Sequence, residues 1–85
     1  MEKTIVKLKF PVTVDGQEYK QLEMRRCKVK DRRLAEKQAN AADKEVTLIA
    51  NLCEVAPAVI DELDAVDYAE LQKTLTGFFA SATAN

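Results

Sequence analysis

Between Val6 and Val14 every second residue is apolar: Val6, Leu8, Phe10, Val12 and Val14 fall on one face, with Lys7, Lys9, Pro11 and Thr13 on the other. A period of two belongs to a half-buried strand. The run ends in the turn Val-Asp-Gly-Gln, after which Leu22 and Met24 continue the apolar face in even phase, so the chain predicts a hairpin. Its register depends on the length of the turn. A two-residue Asp15-Gly16 loop pairs Val14 with Gln17 and Leu8 with Glu23, which sends Leu22 and Met24 to the wrong face of the sheet. A three-residue loop, Val14 to Gly16 with Gly16 left-handed in a bulge, pairs Thr13 with Gln17, Leu8 with Leu22 and Val6 with Met24. The pattern favours that second register. Pro11 has no N–H to give, which makes the first strand an edge or interrupts it there, and Tyr19 is expected to point away from the apolar face.

After the hairpin the period becomes helical. Asp31 stands as N-cap before RRLAEKQANAA, whose apolar side holds Leu34 and several alanines, so this helix should be mostly exposed. Asp43 and Glu45 sit at the start of a second helix, where Val46, Ile49, Ala50, Leu52 and Cys53 form a broad apolar band and predict the most buried helix. Pro57 ends it and opens a short third one, PAVIDEL, with Val59, Ile60 and Leu63 on one side. In the last helix Asp67 and Glu70 have the spacing of a capping box, with Asp64 an alternative cap one turn earlier. Along it Tyr68, Leu71, Leu75, Phe78 and Ala82 recur at spacings of three and four, and Phe79 widens the stripe. Gly77 costs about 1 kcal/mol relative to Ala inside a helix, so it should either cap this one or permit close approach of another backbone.

A lone hairpin is marginal in water and needs a helical layer over its apolar face. The expected fold is therefore α+β: an N-terminal antiparallel β-hairpin packed on three to four C-terminal α-helices. Eighty-five residues are enough for one domain, 1–85, divided into a hairpin over about 4–27, a helical part over about 31–80 and a tail, 81–85, that should fray.

Composition narrows the chemistry. With 47% hydrophobic and 32% charged residues the chain is not of the disordered class. No apolar run approaches the roughly 18 residues of a membrane span, and MEKTIVKLKF lacks the unbroken apolar region of a signal peptide, so a cytoplasmic location is expected. Two cysteines, Cys27 and Cys53, and no histidine exclude the usual zinc spacings, a Cys-His nucleophile pair and a Ser-His-Asp triad; both thiols are expected to be buried. No glycine loop cradles a phosphate, and neither a metal nor a cofactor is expected. Asp61, Glu62, Asp64 and Asp67 crowd one helix junction, but paired carboxylates catalyse only where a pocket shifts their pKa values, and caps and dipole partners account for them. The chain reads as non-enzymatic.

Charge is divided unevenly: residues 1–37 carry +5 and residues 38–85 carry −6. Two surfaces stand out. The basic segment with Arg25, Arg26, Lys28, Lys30, Arg32 and Arg33 could contact phosphates, the reading of a small nucleic-acid-binding regulator. It lacks interleaved aromatics and a helix-turn-helix pattern, and a solvated or protein-facing surface fits it better. The other surface is the stripe of the last helix, Tyr68, Leu71, Leu75, Phe78 and Phe79, either the wall of a small core or an anchor for a partner. Periodicity does not separate the two.

The order of residues adds a resemblance. LIANLCEVAP (Leu48, Ile49, Ala50, Leu52, Cys53, Pro57), LDAVDYAELQ (Leu63, Asp64, Asp67, Tyr68, Leu71, Gln72) and Gly77-Phe78-Phe79 are similar to the tail assembly chaperones of tailed phages, of the E protein type and of Mu-like prophages. The N-terminal half resembles the same family at Pro11, Gly16, Leu22, Arg25 and Asp31, and departs from it at Arg26-Cys27, where the family more typically has an acidic residue and Pro. The resemblance implies a non-catalytic chaperone in the host bacterial cytoplasm that binds the tape measure protein and keeps it soluble while the tail tube assembles. It also implies absence from the mature virion, self-association, and often a longer companion made by translational frameshifting.

Overall fold

The structure is a computed structural model that describes residues 3–83, with side chains described for residues 3–78. In chain order it contains β1 (Lys3–Val14), β2 (Gln17–Arg25), α1 (Val29–Ala35), α2 (Ala41–Cys53), α3 (Pro57–Asp61) and α4 (Ala65–Thr83). The two strands form an antiparallel hairpin, and four helices follow it, an α+β arrangement. Core side chains come from both strands and three helices: Val6, Leu22 and Met24 from the hairpin, Ile49, Ala50, Leu52 and Cys53 from α2, Ile60 from α3, and Leu71 and Leu75 from α4. Helix α1 packs on α2 and adds only Ala35 to the buried apolar set.

The hairpin corrects the predicted register. Asp15 and Gly16 both have positive φ, 51° and 79°, and Val14 pairs with Gln17, so the loop has two residues. Two consecutive left-handed residues match the right-handed twist of the strands, and Asp-Gly is a favoured pair for that turn. Continued without a break, this pairing would expose Leu22 and Met24, the reason the sequence argued against it. The fold removes the conflict in mid-strand: pairing runs from Val14–Gln17 to Val12–Tyr19, breaks, and resumes at Lys7–Gln21 and Val6–Leu22. Leu8 to Pro11 thus oppose Lys20 alone. The odd number of extra residues restores the phase, so Val6, Leu8, Leu22 and Met24 share the buried face after all.

The break has consequences for individual side chains. Phe10, predicted to face the core, is 54% exposed. Tyr19, predicted to face outward, is half-buried and packs against the core, and it lines one surface hollow together with Val55.

The helices also differ in detail from the pattern. The first helix is shorter than the expected RRLAEKQANAA: α1 ends at Ala35, and α2 begins at Ala41, with Asn40 as its cap accepting from the Asp43 N–H at 2.8 Å while its amide donates to Asp43 at 3.0 Å. Asp31 lies inside α1 rather than at its cap, and Leu34, assigned to the apolar side, is 42% exposed; α1 turns Asp31 and Ala35 inward. Asp64, not Asp67, caps α4, accepting from the Val66 N–H at 2.9 Å. Pro57 occupies the first turn of α3 as predicted. Cys53 is buried, whereas Cys27 is only half-buried.

Gly77 does not end α4, which continues to Thr83, and beyond its chain neighbours and its own helix backbone a Cβ at Gly77 would meet no described atom within 4 Å. Gly77→Ala should therefore stabilise the fold by about 0.5–1 kcal/mol by restricting the unfolded chain and favouring the helix. An upward shift of the urea midpoint at unchanged slope is the measurement that checks it. The tail 81–85 overlaps the end of α4 at 81–83; the side chains of 79–83, and residues 84 and 85, lie outside the described residues.

Candidate partner-binding groove

Alanines at facing positions leave space between helices. Ala35 of α1 and Ala41 of α2 cannot fill the gap above Leu48 of α2 and Leu75 of α4, and a groove of about 380 Å³ opens there. Its apolar lining is formed by these four side chains, with Ala35 and Leu75 buried at the floor and Ala41 exposed at the mouth. Its rim carries Arg32 and Glu36 from α1 and Lys44 and Glu45 from α2, two charges of each sign.

Polar contacts hold the walls. The Lys44 ammonium donates to Glu36 at 3.0 Å and ties α1 to α2. One oxygen of Glu45 accepts from both the Tyr68 hydroxyl and the Gln72 amide, the latter at 2.8 Å, and so ties α2 to α4. Burial, with the adjacent Glu45 carboxylate second, pushes the Tyr68 hydroxyl pKa well above its ordinary value, so the phenol keeps its proton and remains a donor. Behind α1, Arg25 forms a two-pronged pair with Asp31 at 2.8 and 2.9 Å, and the Asp31 carboxylate also accepts from the Lys28 N–H at 2.8 Å. The Arg25 guanidinium holds the Asp31 carboxyl down at about 2.

The stripe predicted on the last helix is divided by the fold. Leu71 and Leu75 are core residues, 0% and 8% exposed, with Leu75 also reaching the groove floor. Tyr68 and Phe78 are half-buried at its edge. The Arg26 guanidinium lies 5.5 Å from the centre of the Phe78 ring, a cation–π distance. Phe79, the fifth residue of the stripe, lies outside the described side chains. The basic segment does not form one patch either. Arg25 is engaged with Asp31, Arg26 covers Phe78, Arg32 borders the groove, and Lys28 begins α1. Lys30, Arg33 and Leu34 of α1 line another hollow with Lys37, which follows the helix.

A void leaves no periodic trace, so the groove is not visible in the alternation of polar and apolar positions. The available signals were Asn40-x-x-Asp43, which restarts the helix, and the small residues Ala35 and Ala41 on either side of that restart.

Elsewhere the carboxylates near α3 and α4 have structural surroundings. Asp64 caps α4, Asp67 accepts two backbone N–H groups from β1, and Asp61 and Glu62 are exposed. Burial pushes the Cys53 thiol up to about 12, which leaves it without thiolate character. Among the described residues no group of three or more metal-ligating side chains converges, and no helix is long and apolar enough to cross a membrane.

A small α+β scaffold with an apolar groove rimmed by both charge signs, and no convergent metal-ligating cluster among the described residues, offers a surface of the kind that can receive another chain. A family model described as "Phage tail assembly chaperone proteins, E, or 41 or 14" matches residues 5–80, and the chain belongs to that family. No curated protein and no solved structure matches it. Family membership makes a tail assembly chaperone the supported role.

Proposed function

We propose that the protein binds the tape measure protein of its phage and keeps it soluble while tail-tube subunits assemble around it. The observation that carries this reading is the family match over residues 5–80. The groove supports it physically: a helical client with exposed apolar residues can seat one or two of them in an apolar hollow, and the mixed charges at the rim can pair with the polar flanks of such a helix. On this reading the chaperone acts without catalysis in the host cytoplasm, is absent from the finished virion, and shares its fold with any longer frameshifted companion.

Co-expression tests the proposal. The wild-type protein should move a tape measure that is insoluble alone into the soluble fraction and co-purify with it. Ala41→Trp places a large ring at the exposed mouth of the groove, outside the buried core. It should weaken the complex at least about tenfold, the loss expected when a central pocket is blocked, while leaving thermal unfolding nearly unchanged. A tape measure equally insoluble with and without the protein would overturn the function, and full binding by Ala41→Trp would overturn the groove as its site.

A further inference from the structure

Helix α2 presents Ala41, Lys44, Glu45 and Leu48 to the groove, at spacings of three and four that put them on one face. Two of the rim charges cancel, because the Lys44 ammonium and the Glu36 carboxylate pair with each other. Glu45 is different. Its two donors, the Tyr68 hydroxyl and the Gln72 amide, are both neutral, and both reach the same oxygen, Oε1. Among the described residues no lysine or arginine pairs with it. Its second oxygen, Oε2, accepts no hydrogen bond there either. Since no buried side-chain oxygen or nitrogen of the described residues lacks a partner, Oε2 of the half-buried Glu45 lies where solvent or a ligand reaches it. A side chain needed only to tie α2 to α4 has no use for a charge, because a glutamine carbonyl would accept the same two hydrogen bonds. A carboxylate already fixed by neutral donors, by contrast, loses little freedom when a cation arrives.

We infer that the groove selects segments carrying a lysine or arginine one helical turn from the apolar side chain they insert, with the cation paired to Oε2 of Glu45 and the apolar side chain against Ala35, Leu48 and Leu75. The occupant is thus a cationic amphipathic stretch of the tape measure protein, an inference that rests on the function proposed above. Charge complementarity identifies it, since the groove offers an apolar lining beside one negative charge that no described residue offsets. Glu45 and Leu48 are three residues apart on α2, so a helix lying along the groove brings its cation to Glu45 three or four residues from the side chain that it inserts. Glu45 stands on the wall that α2 shares with α4, so the cation faces α4 and orients the segment. Docking takes the pair out of water, which strengthens the attraction and raises the cost of the wrong charge.

Overlapping peptides that tile the tape measure protein, titrated against the purified protein, test the inference. Peptides bound by wild type and not by Ala41→Trp are groove ligands, and each should hold a lysine or arginine three or four residues from an aliphatic or aromatic residue. Replacing that cation by glutamine should weaken binding to wild type about tenfold, and glutamate should weaken it further, as loss of a desolvated charge pair does. Against Glu45→Gln the glutamine replacement should change binding less than about twofold, since the partner charge is already gone. Glu45→Gln keeps an acceptor for Tyr68 and Gln72, so its thermal unfolding should match that of wild type. If it does not, the peptide replacements measured on wild type alone decide the outcome. Replacements without effect on wild type, or with equal effect on wild type and Glu45→Gln, overturn the inference and leave the chaperone reading intact, because co-expression tests that reading by solubility. A tape measure kept soluble while no peptide binds the groove also overturns it and assigns recognition to another surface. A tape measure left insoluble, with no peptide bound, overturns both.

Discussion

Asp31→Asn is expected to destabilise the fold by about 3 kcal/mol, because removing one partner of a desolvated ion pair leaves the other uncompensated. The Asp31 side chain is 2% exposed, and its two oxygens accept from both ends of the Arg25 fork and from the Lys28 N–H. Arg25 in turn reaches the Asn51 carbonyl at 3.4 Å and Glu54 at 3.7 Å, so this one carboxylate anchors the end of β2, the start of α1 and the last turn of α2. For a domain of this size a loss of about 3 kcal/mol lowers the melting temperature by roughly 12–24 °C.

The same residue gives the protein a predictable acid limb. A carboxyl held at about 2 in the folded chain and at its ordinary value in the unfolded one contributes roughly 2 kcal/mol, fully present above about pH 4 and lost as pH falls from there toward 2. Stability measured by urea denaturation should therefore decline over that window in the wild type. The difference between wild type and Asp31→Asn should shrink in parallel. A difference that is constant between pH 6 and about pH 3 would show that the pair is not what the substitution removes.

This pair also marks the boundary of what the chain alone reveals. Periods of two and of three to four located the core, from Val6, Leu8, Leu22 and Met24 to Ile49, Leu52, Ile60 and Leu71, because burial of a face imposes a repeat on the sequence. Hydropathy places Leu34 on the apolar side of α1, and the N-cap preference of aspartate places Asp31 at its start. The fold departs from both placements. Arg25, six residues away and on a different element, turns the aspartate into a buried partner, and the leucine is left for solvent. The groove was hidden for a related reason, since Ala35 and Ala41 act through the volume they do not fill. Of the last helix, the inward stripe is readable, whereas its division into core at Leu71 and edge at Tyr68 and Phe78 depends on how α4 seats against β1 and α2.

The hairpin register carries the second large prediction. A two-residue turn and a buried Leu22 are incompatible in an unbroken ladder, and the break that reconciles them frees the N–H groups of Lys9 and Phe10. Both are received by Asp67, at 2.9 and 3.1 Å, from 58 and 57 residues further along the chain. The carboxylate is 1% exposed and sits in the first turn of α4, where the helix dipole favours its charge. Asp67→Ala should cost about 3 kcal/mol, from two charge-assisted hydrogen bonds lost and two amides left without acceptors. Asp67→Asn should recover only part of this, because its amide nitrogen turns a donor toward one of the two N–H groups. Hydrogen exchange distinguishes this account from simple loss of packing. The amides of Lys9 and Phe10 should exchange at least about tenfold faster in Asp67→Asn relative to the global unfolding rate, while those of Val6 and Leu22 follow the global rate. Equal acceleration at all four would mean that Asp67 stabilises the domain without holding the break, and that the chain must choose its register by other means.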